Sequence, residues 1–222
     1  TAGKKAVRFF DPLTQGAVSS RLRLEEDIRR GLAAGEFILH LQPQFDEANG
    51  LTGAEALARW EHPRHGLQSP ALFIDVAERA GLIAELDFQV LQQACKLLVR
   101  WAGQAPQASL RLAVNLSARL LYQADFVQRL LQLLDESGAD PRLLKLELTE
   151  TLLLDDLPEA VERMQALKAR GIRFSIDDFG TGYSSLAYLK RFPLDVLKID
   201  KKFIDDIPQS HDDMAIATAI IG

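Results

Sequence analysis

Glu55, Asn115, Glu147, the pair Asp177-Asp178 and Lys198 each stand within or at the end of a short apolar run. A strand sends successive side chains to opposite faces, so residues two apart share a side. In 54–60 that rule groups Glu55, Leu57 and Arg59 against alanines 54, 56 and 58. It groups Ala113 with Asn115 against Leu112 and Val114, and Lys145, Glu147 and Thr149 against Leu146 and Leu148. The run Ser175-Ile176-Asp177-Asp178 and the placing of Lys198 and Asp200 opposite Leu197 and Ile199 repeat the motif. Buried carboxylates are costly without a compensating cation. Glu55, Asn115, Glu147, Asp177 and Asp178 together would form an all-oxygen donor set, which suits Mg²⁺ or Mn²⁺ and not zinc.

Each residue alone has a plainer explanation. A strand-ending Asp more often caps its strand than binds metal, Arg59 can pair with Glu61, and Asn115 can serve a turn. Lys145 and Lys198 can lie in solvent, with Lys198 neutralised by Asp200, and Gly180 and Gly182 can shape a strand-to-helix turn. Five successive strands carrying a charged or amide residue, mostly near the C-terminal end, are hard to assemble by coincidence. That end is where sites form in α/β barrels and open α/β sheets.

The elements that must position these groups alternate along the chain. Strands are expected at Phe37–Gln42, Leu51–Trp60, Leu110–Leu116, Leu143–Thr149, Ile172–Asp177 and Asp195–Asp200. Residues 1–18 read as a linker, followed by a helix capped at Ser19 or Ser20 and ending near Gly35. A second helix has Ser69 as N-cap and Pro70 at its first position and stops at Gly81. A third carries Phe88, Leu91, Cys95 and Leu98 as its buried stripe. Others run from about Asp125 to Ser137 and from Pro158 to Arg170, with a short one capped at Ser184 or Ser185 and ended by Pro193. Alternating strands and helices mean parallel βαβ units. The first two strands are too close for a helical crossover and must be antiparallel. The expected fold is therefore a modified (β/α)₈ (TIM) barrel with an antiparallel first pair; a doubly wound sheet is the rival.

The chain has 222 residues, 47% of them hydrophobic and 26% charged, ordinary values for a globular domain. A formal charge of −5 gives no basic footprint for duplex nucleic acid. No apolar run is long enough to span a bilayer and there is no signal peptide, so the cytoplasm is the expected compartment, although the parent protein can be membrane-anchored. One cysteine, Cys95, excludes an internal disulfide and reads as a buried thiol.

The ordered blocks resemble the EAL domain family. They are Gln42-Pro43, Glu55-Ala56-Leu57 with Ala58-Arg59-Trp60 and His62-Pro63, Asn115-Leu116-Ser117, and Glu147-Leu148-Thr149-Glu150. They continue with the ten residues Asp177–Leu186 and with Leu197-Lys198-Ile199-Asp200. A lone Glu-Ala-Leu is worthless as evidence, but the joint set is specific and covers about residues 21–221. Residues 8–30, with Arg8-Phe9-Phe10-Asp11 and Arg21-Leu22, resemble the connector that follows a GGDEF diguanylate cyclase domain.

The resemblance implies hydrolysis of cyclic di-GMP to linear pGpG with two divalent cations. It implies Glu55, Asn115, Glu147 and Asp177 as ligands of the first cation, and Asp177 with Asp178 for the second. Lys198 would orient or deprotonate the attacking water, its pKa lowered by the metals, and Glu150 would brace the loop from Asp177 to Ser185. Gln42, Leu57, Arg59, Pro193 and Asp200 would meet the substrate, Arg59 through a phosphate. The family's further glutamate segment and substrate glutamine would fall beyond Gly222. The expected domains are thus a linker over 1–20 and an EAL domain over 21–222, incomplete after about six strands and inactive or unstable alone. A homodimer is the expected assembly. The competing functions are a cyclic-di-GMP receptor that binds without cleaving, and a pure interaction module.

Overall fold

The computed structural model describes residues 12–149, 157–179 and 191–200. Helix α1 (Pro12–Ala34) leads into strands β1 (Phe37–Phe45), β2 (Leu51–His62) and β3 (Gly66–Gln68). Then come α2 (Pro70–Ala80), α3 (Ile83–Ala102), β4 (Arg111–Asn115), α4 (Ala118–Leu121) and α5 (Phe126–Ser137). The order closes with β5 (Leu144–Thr149), α6 (Leu157–Lys168), β6 (Arg173–Phe179) and β7 (Val196–Ile199). The expected elements within the described residues are all present, with three differences. Helix α1 begins at Pro12 and absorbs Ser19 and Ser20 into its interior, so neither serine is its cap. The short strand β3, unforeseen, pairs back onto the end of β2. On α3 the buried stripe runs through Ile83, Leu86, Asp87, Val90, Leu91, Ala94, Cys95 and Leu98, and Phe88 is only half-buried beneath the Arg129 guanidinium. The helix anticipated at Ser184 or Ser185 and the apolar run of 215–222 lie outside the described residues.

Local chemistry sets the boundaries. Helix α2 has Pro70 at its start, where a missing N–H costs nothing, and Gly81 just after its end at φ 75°. Asp46 shapes the β1–β2 turn by accepting from the backbone N–H groups of Ala48 (3.0 Å) and Gly50 (2.7 Å).

The strand order is β1-β2-β4-β5-β6-β7, antiparallel at β1–β2 and parallel from β2 onward, with β3 attached to β2. Helices cover one face. Leu112, Val114, Leu144, Leu146, Leu148, Phe174 and Ile176 from the strands pack with Leu91, Leu98, Phe126, Leu130 and Met164 from the helices. Burial of each such side chain is worth about 1.5–3 kcal/mol, so this layer carries the stability. The opposite face is polar and concave. Four inter-strand steps of about 4.8 Å would put β7 roughly 19 Å from β2 in a flat sheet. Yet Lys198 of β7 sits 3.0 Å from Glu55 of β2, and Lys145 of β5 reaches Gln44 of β1 at 3.3 Å. The sheet curls on itself in the manner of a TIM barrel, and these polar side chains fill its inside.

A smaller core fixes α1 to the same sheet. Ile28, Leu32, Phe37, Trp60, Phe73 and Leu86 are buried together, with Phe37 and Trp60 stacked at 5.2 Å. The Trp60 indole N–H donates to Glu36 at 2.8 Å.

Candidate metal centre inside the curled sheet

Strand registry stacks the polar residues. Gln42 lies opposite Glu55, Glu55 beside Ala113, Asn115 beside Glu147, and Glu147 beside Ser175. Ala113 is fully buried, and its methyl leaves room for the longer side chains of its neighbours. Between the pairs Ile176↔Leu197 and Phe179↔Ile199 two residues of β6, Asp177 and Asp178, oppose the single Lys198 of β7. Such a bulge re-aims a strand beside a site.

The result is a cage. Carboxylate oxygens of Glu55, Glu147 and Asp177 lie within 4.8 Å of one another. The Lys198 ammonium donates to all three, at 3.0, 2.7 and 2.9 Å respectively. Asn115 donates through its amide nitrogen to Glu55 Oε1 at 3.0 Å. Glu147, almost fully buried, has its two oxygens divided. Oε2 faces Lys198, while Oε1 meets Lys145 Nζ at 3.0 Å and accepts from the Ser175 hydroxyl at 3.2 Å.

Burial depresses the Lys198 ammonium, but its hydrogen bonds to Asp177 and Glu147 and the charges of Glu147 and Glu55 outweigh burial and hold it above the usual lysine range. Three carboxylates surround the lysine and favour its charged form; the lowering expected from the metals concerns the cage with cations bound. As a donor set the cage fits a hard divalent cation, because every ligand atom it offers is oxygen and three of the groups are carboxylates.

The structure therefore gathers Glu55, Asn115, Glu147, Asp177 and Lys198. Gln42 and Leu57 stand on β1 and β2 near them, exposed and half-buried respectively. Arg59 lies two residues beyond Leu57 and donates to its neighbour's carbonyl, that of Ala58, at 2.9 Å, not to Glu61. Asp200 directly follows β7. Pro193 falls elsewhere. Its carbonyl accepts from Lys168 at the end of α6, and the Asp195 N–H donates to the carbonyl of Phe174 near the start of β6. That is the N-terminal end of the parallel strands, opposite the cage, so Pro193 does not join it. The Asp178 side chain and Glu150 lie outside the described residues. Lys145, read above as able to lie in solvent, is buried instead, with Gln44 as its second partner. Its place on the Glu147 face was the available signal; that of Ser175 was its parity with Asp177.

A curled parallel sheet with an oxygen-donor cage at its strand ends has the layout of an α/β barrel with a candidate divalent-cation site. The EAL domain model matches residues 25–222, and the chain belongs to the EAL domain family. It is 42% identical over 220 residues to a protein named "Cyclic di-GMP phosphodiesterase NbdA" from Pseudomonas aeruginosa, covering 99% of this chain and 28% of that protein. It is 40% identical over 220 residues to "Bifunctional diguanylate cyclase/cyclic di-GMP phosphodiesterase MucR" of the same organism, covering 99% of this chain and 32% of that protein. The chain thus spans less than a third of the length of these relatives. The solved structure "PaMucR Phosphodiesterase, c-di-GMP complex" superposes with a TM-score of 0.84 at 42% identity, covering 90% of this chain and 81% of that one. Among the described residues no helix is long and apolar enough to cross a membrane.

Proposed function

We propose that this chain is a metal-dependent phosphodiesterase that opens cyclic di-GMP to linear pGpG. The carrying observation is the convergence of Glu55, Glu147, Asp177 and Lys198, drawn from four strands, on one point. Relatives and a solved neighbour whose names state this activity and this nucleotide support the reading.

Glu55, Asn115, Glu147 and Asp177 would hold the first Mg²⁺ or Mn²⁺, with Asp178 and Asp177 holding a second. Bound there, the cations would supply Lewis-acid polarisation of a phosphodiester oxygen and of the attacking water. In the reaction a bond forms between water oxygen and phosphorus, the ester bond to one ribose oxygen breaks, and that oxygen takes up a proton. Without cations Lys198 is held as an ammonium by Asp177, Glu147 and Glu55; with those carboxylates turned to the cations it would orient or deprotonate the attacking water. Arg59 can clamp a phosphate with its planar fork, and Gln42, Leu57 and Asp200 would shape the nucleotide's seat. Glu150 belongs to the proposal as the brace of the loop after β6. A homodimer and a preceding cyclase domain belong to it too, the latter supported by the bifunctional name of MucR.

The test is to incubate the protein carrying this chain with cyclic di-GMP and Mg²⁺ or Mn²⁺, following pGpG by chromatography. Product that disappears with EDTA and in Asp177→Ala is expected. Tight binding of cyclic di-GMP with no product at any metal concentration would replace the enzyme by a receptor.

A further inference from the structure

Outside the cage, among the described residues, Asp87 is the buried carboxylate that the proposed chemistry does not use. It lies on α3, is 8% exposed, and belongs to a buried stripe whose other members are apolar. A carboxylate there is costly unless it accepts hydrogen bonds. Its Oδ2 accepts from the backbone N–H of Ser117 at 2.9 Å. Ser117 is the residue at which β4 gives way to α4, and its own hydroxyl accepts from Leu120 N–H at the start of that helix. Three consecutive residues are thereby tied to three different elements. Asn115 bonds to Glu55 on β2, Leu116 N–H to the Glu147 carbonyl on β5, and Ser117 N–H to Asp87 on α3.

The first of these ties belongs to the cage. Asn115 is the last residue of β4, and within three residues the chain has turned into α4. Its amide can meet Glu55 and a cation only if the turn that follows is fixed. Asp87, Asn115, Ser117 and Glu147 line one groove of about 420 Å³ together, so the anchor and the ligands share a wall.

We infer that Asp87 is a positioning residue for the cation site, holding the Asn115–Ser117 turn so that the Asn115 amide stays aimed into the cage. This rests on the metal-dependent reading above. The burial that pushes its pKa up to about 7 shows how strongly the site resists a bare charge, and Ser117 is what lowers that penalty.

The experiment measures Mn²⁺ affinity by titration calorimetry on the protein carrying this chain, at a temperature where every variant is folded. Asp87→Ala should weaken Mn²⁺ binding by roughly tenfold or more, the usual loss for a group that orients a ligand from behind. Asp87→Asn keeps an acceptor for Ser117 N–H and should stay within about threefold of wild type. Val90→Ala, a cavity on the same helix, should lower the melting temperature and leave Mn²⁺ affinity unmoved. If Asp87→Ala is not recovered folded, Asp87→Ser replaces it, since its shorter hydroxyl falls short of that N–H. Unchanged affinity in the Ala or Ser variant overturns the inference. If wild type binds no Mn²⁺, the phosphodiesterase reading is what fails. Asparagine-selective ¹⁵N spectra then decide, because this chain contributes only Asn49 and Asn115. The Asn115 side-chain signal should move toward that of a free amide in Asp87→Ala, and an unmoved signal overturns the positioning role.

Discussion

Two residues with opposite charges show how the interior sets ionisation. Lys198 gains three carboxylate partners and is held charged, whereas Asp87 gains an apolar wall and a backbone N–H and is held towards neutrality, at about 7 against the ordinary 3.8. The nearby charge of Glu78 pushes Asp87 the same way. The raised value has a measurable consequence for stability. With its folded pKa raised, the native state keeps a proton that the unfolded chain has already released. Asp87 therefore costs nothing below about pH 4, and its penalty grows as pH rises through the interval up to about 7 and is full above it. The slope is at most about 1.4 kcal/mol per pH unit. Asn at this position carries no such penalty. The melting temperature of Asp87→Asn minus that of wild type should accordingly rise from pH 5 to pH 8 and then level off. A difference that is flat with pH would mean that Asp87 is solvated, contrary to its burial.

Elements explain why these residues meet at all. Gly53 lies two residues before Glu55 on β2 and pairs with Arg111 of β4; a Cβ there would collide with the Arg111 carbonyl oxygen. Backbone cannot yield as a flexible side chain does, so Gly53→Ala must spread β2 from β4. We expect a loss of about 1–3 kcal/mol in chemical denaturation. We also expect weaker hydrolysis, because Glu55 rides on the displaced strand; a wild-type midpoint would show that the strands separate freely. Periodicity disclosed much at this scale. Alternation along β2, β4 and β5 assigned Glu55, Asn115 and Glu147 to one face, and Pro70 and Gly81 marked α2, because those signals are local. Antiparallel pairing of β1 and β2 followed from the length of the turn alone. What stayed illegible depended on curvature and depth. Nothing in the neighbourhood of Lys145 says that β1 curls over to bring Gln44 within reach. Likewise Asp87 looks like a helix-surface residue until α3 is seen with that side packed on β4. Pro193 illustrates the converse, since a motif position gives an order along the chain but not an end of the barrel.

At the scale of the molecule, folding is driven from one side of the sheet and function is placed on the other. The helix-covered face buries Leu112, Val114, Leu146 and Phe174 completely, and the smaller core around Trp60 ties α1 to β2, the strand that carries Glu55. The concave side instead concentrates three carboxylates against Lys198, with Lys145 behind Glu147. Lys198 and Lys145 together leave one of the three negative charges held within 4.8 Å without a formal counter-charge, an excess gathered only in the folded cage. A divalent cation that binds only the assembled cage would relieve it and shift the folding equilibrium. At a hundred times its dissociation constant the gain is about 2.7 kcal/mol. Melting curves of the protein should therefore move upward with Mn²⁺ and grow only slowly once the site is full. Glu147→Gln should lose most of that shift while still melting cooperatively, because it leaves the apolar face untouched. Equal Mn²⁺ shifts in wild type and Glu147→Gln would place the cation elsewhere and separate the curled sheet's polar interior from the chemistry proposed for it.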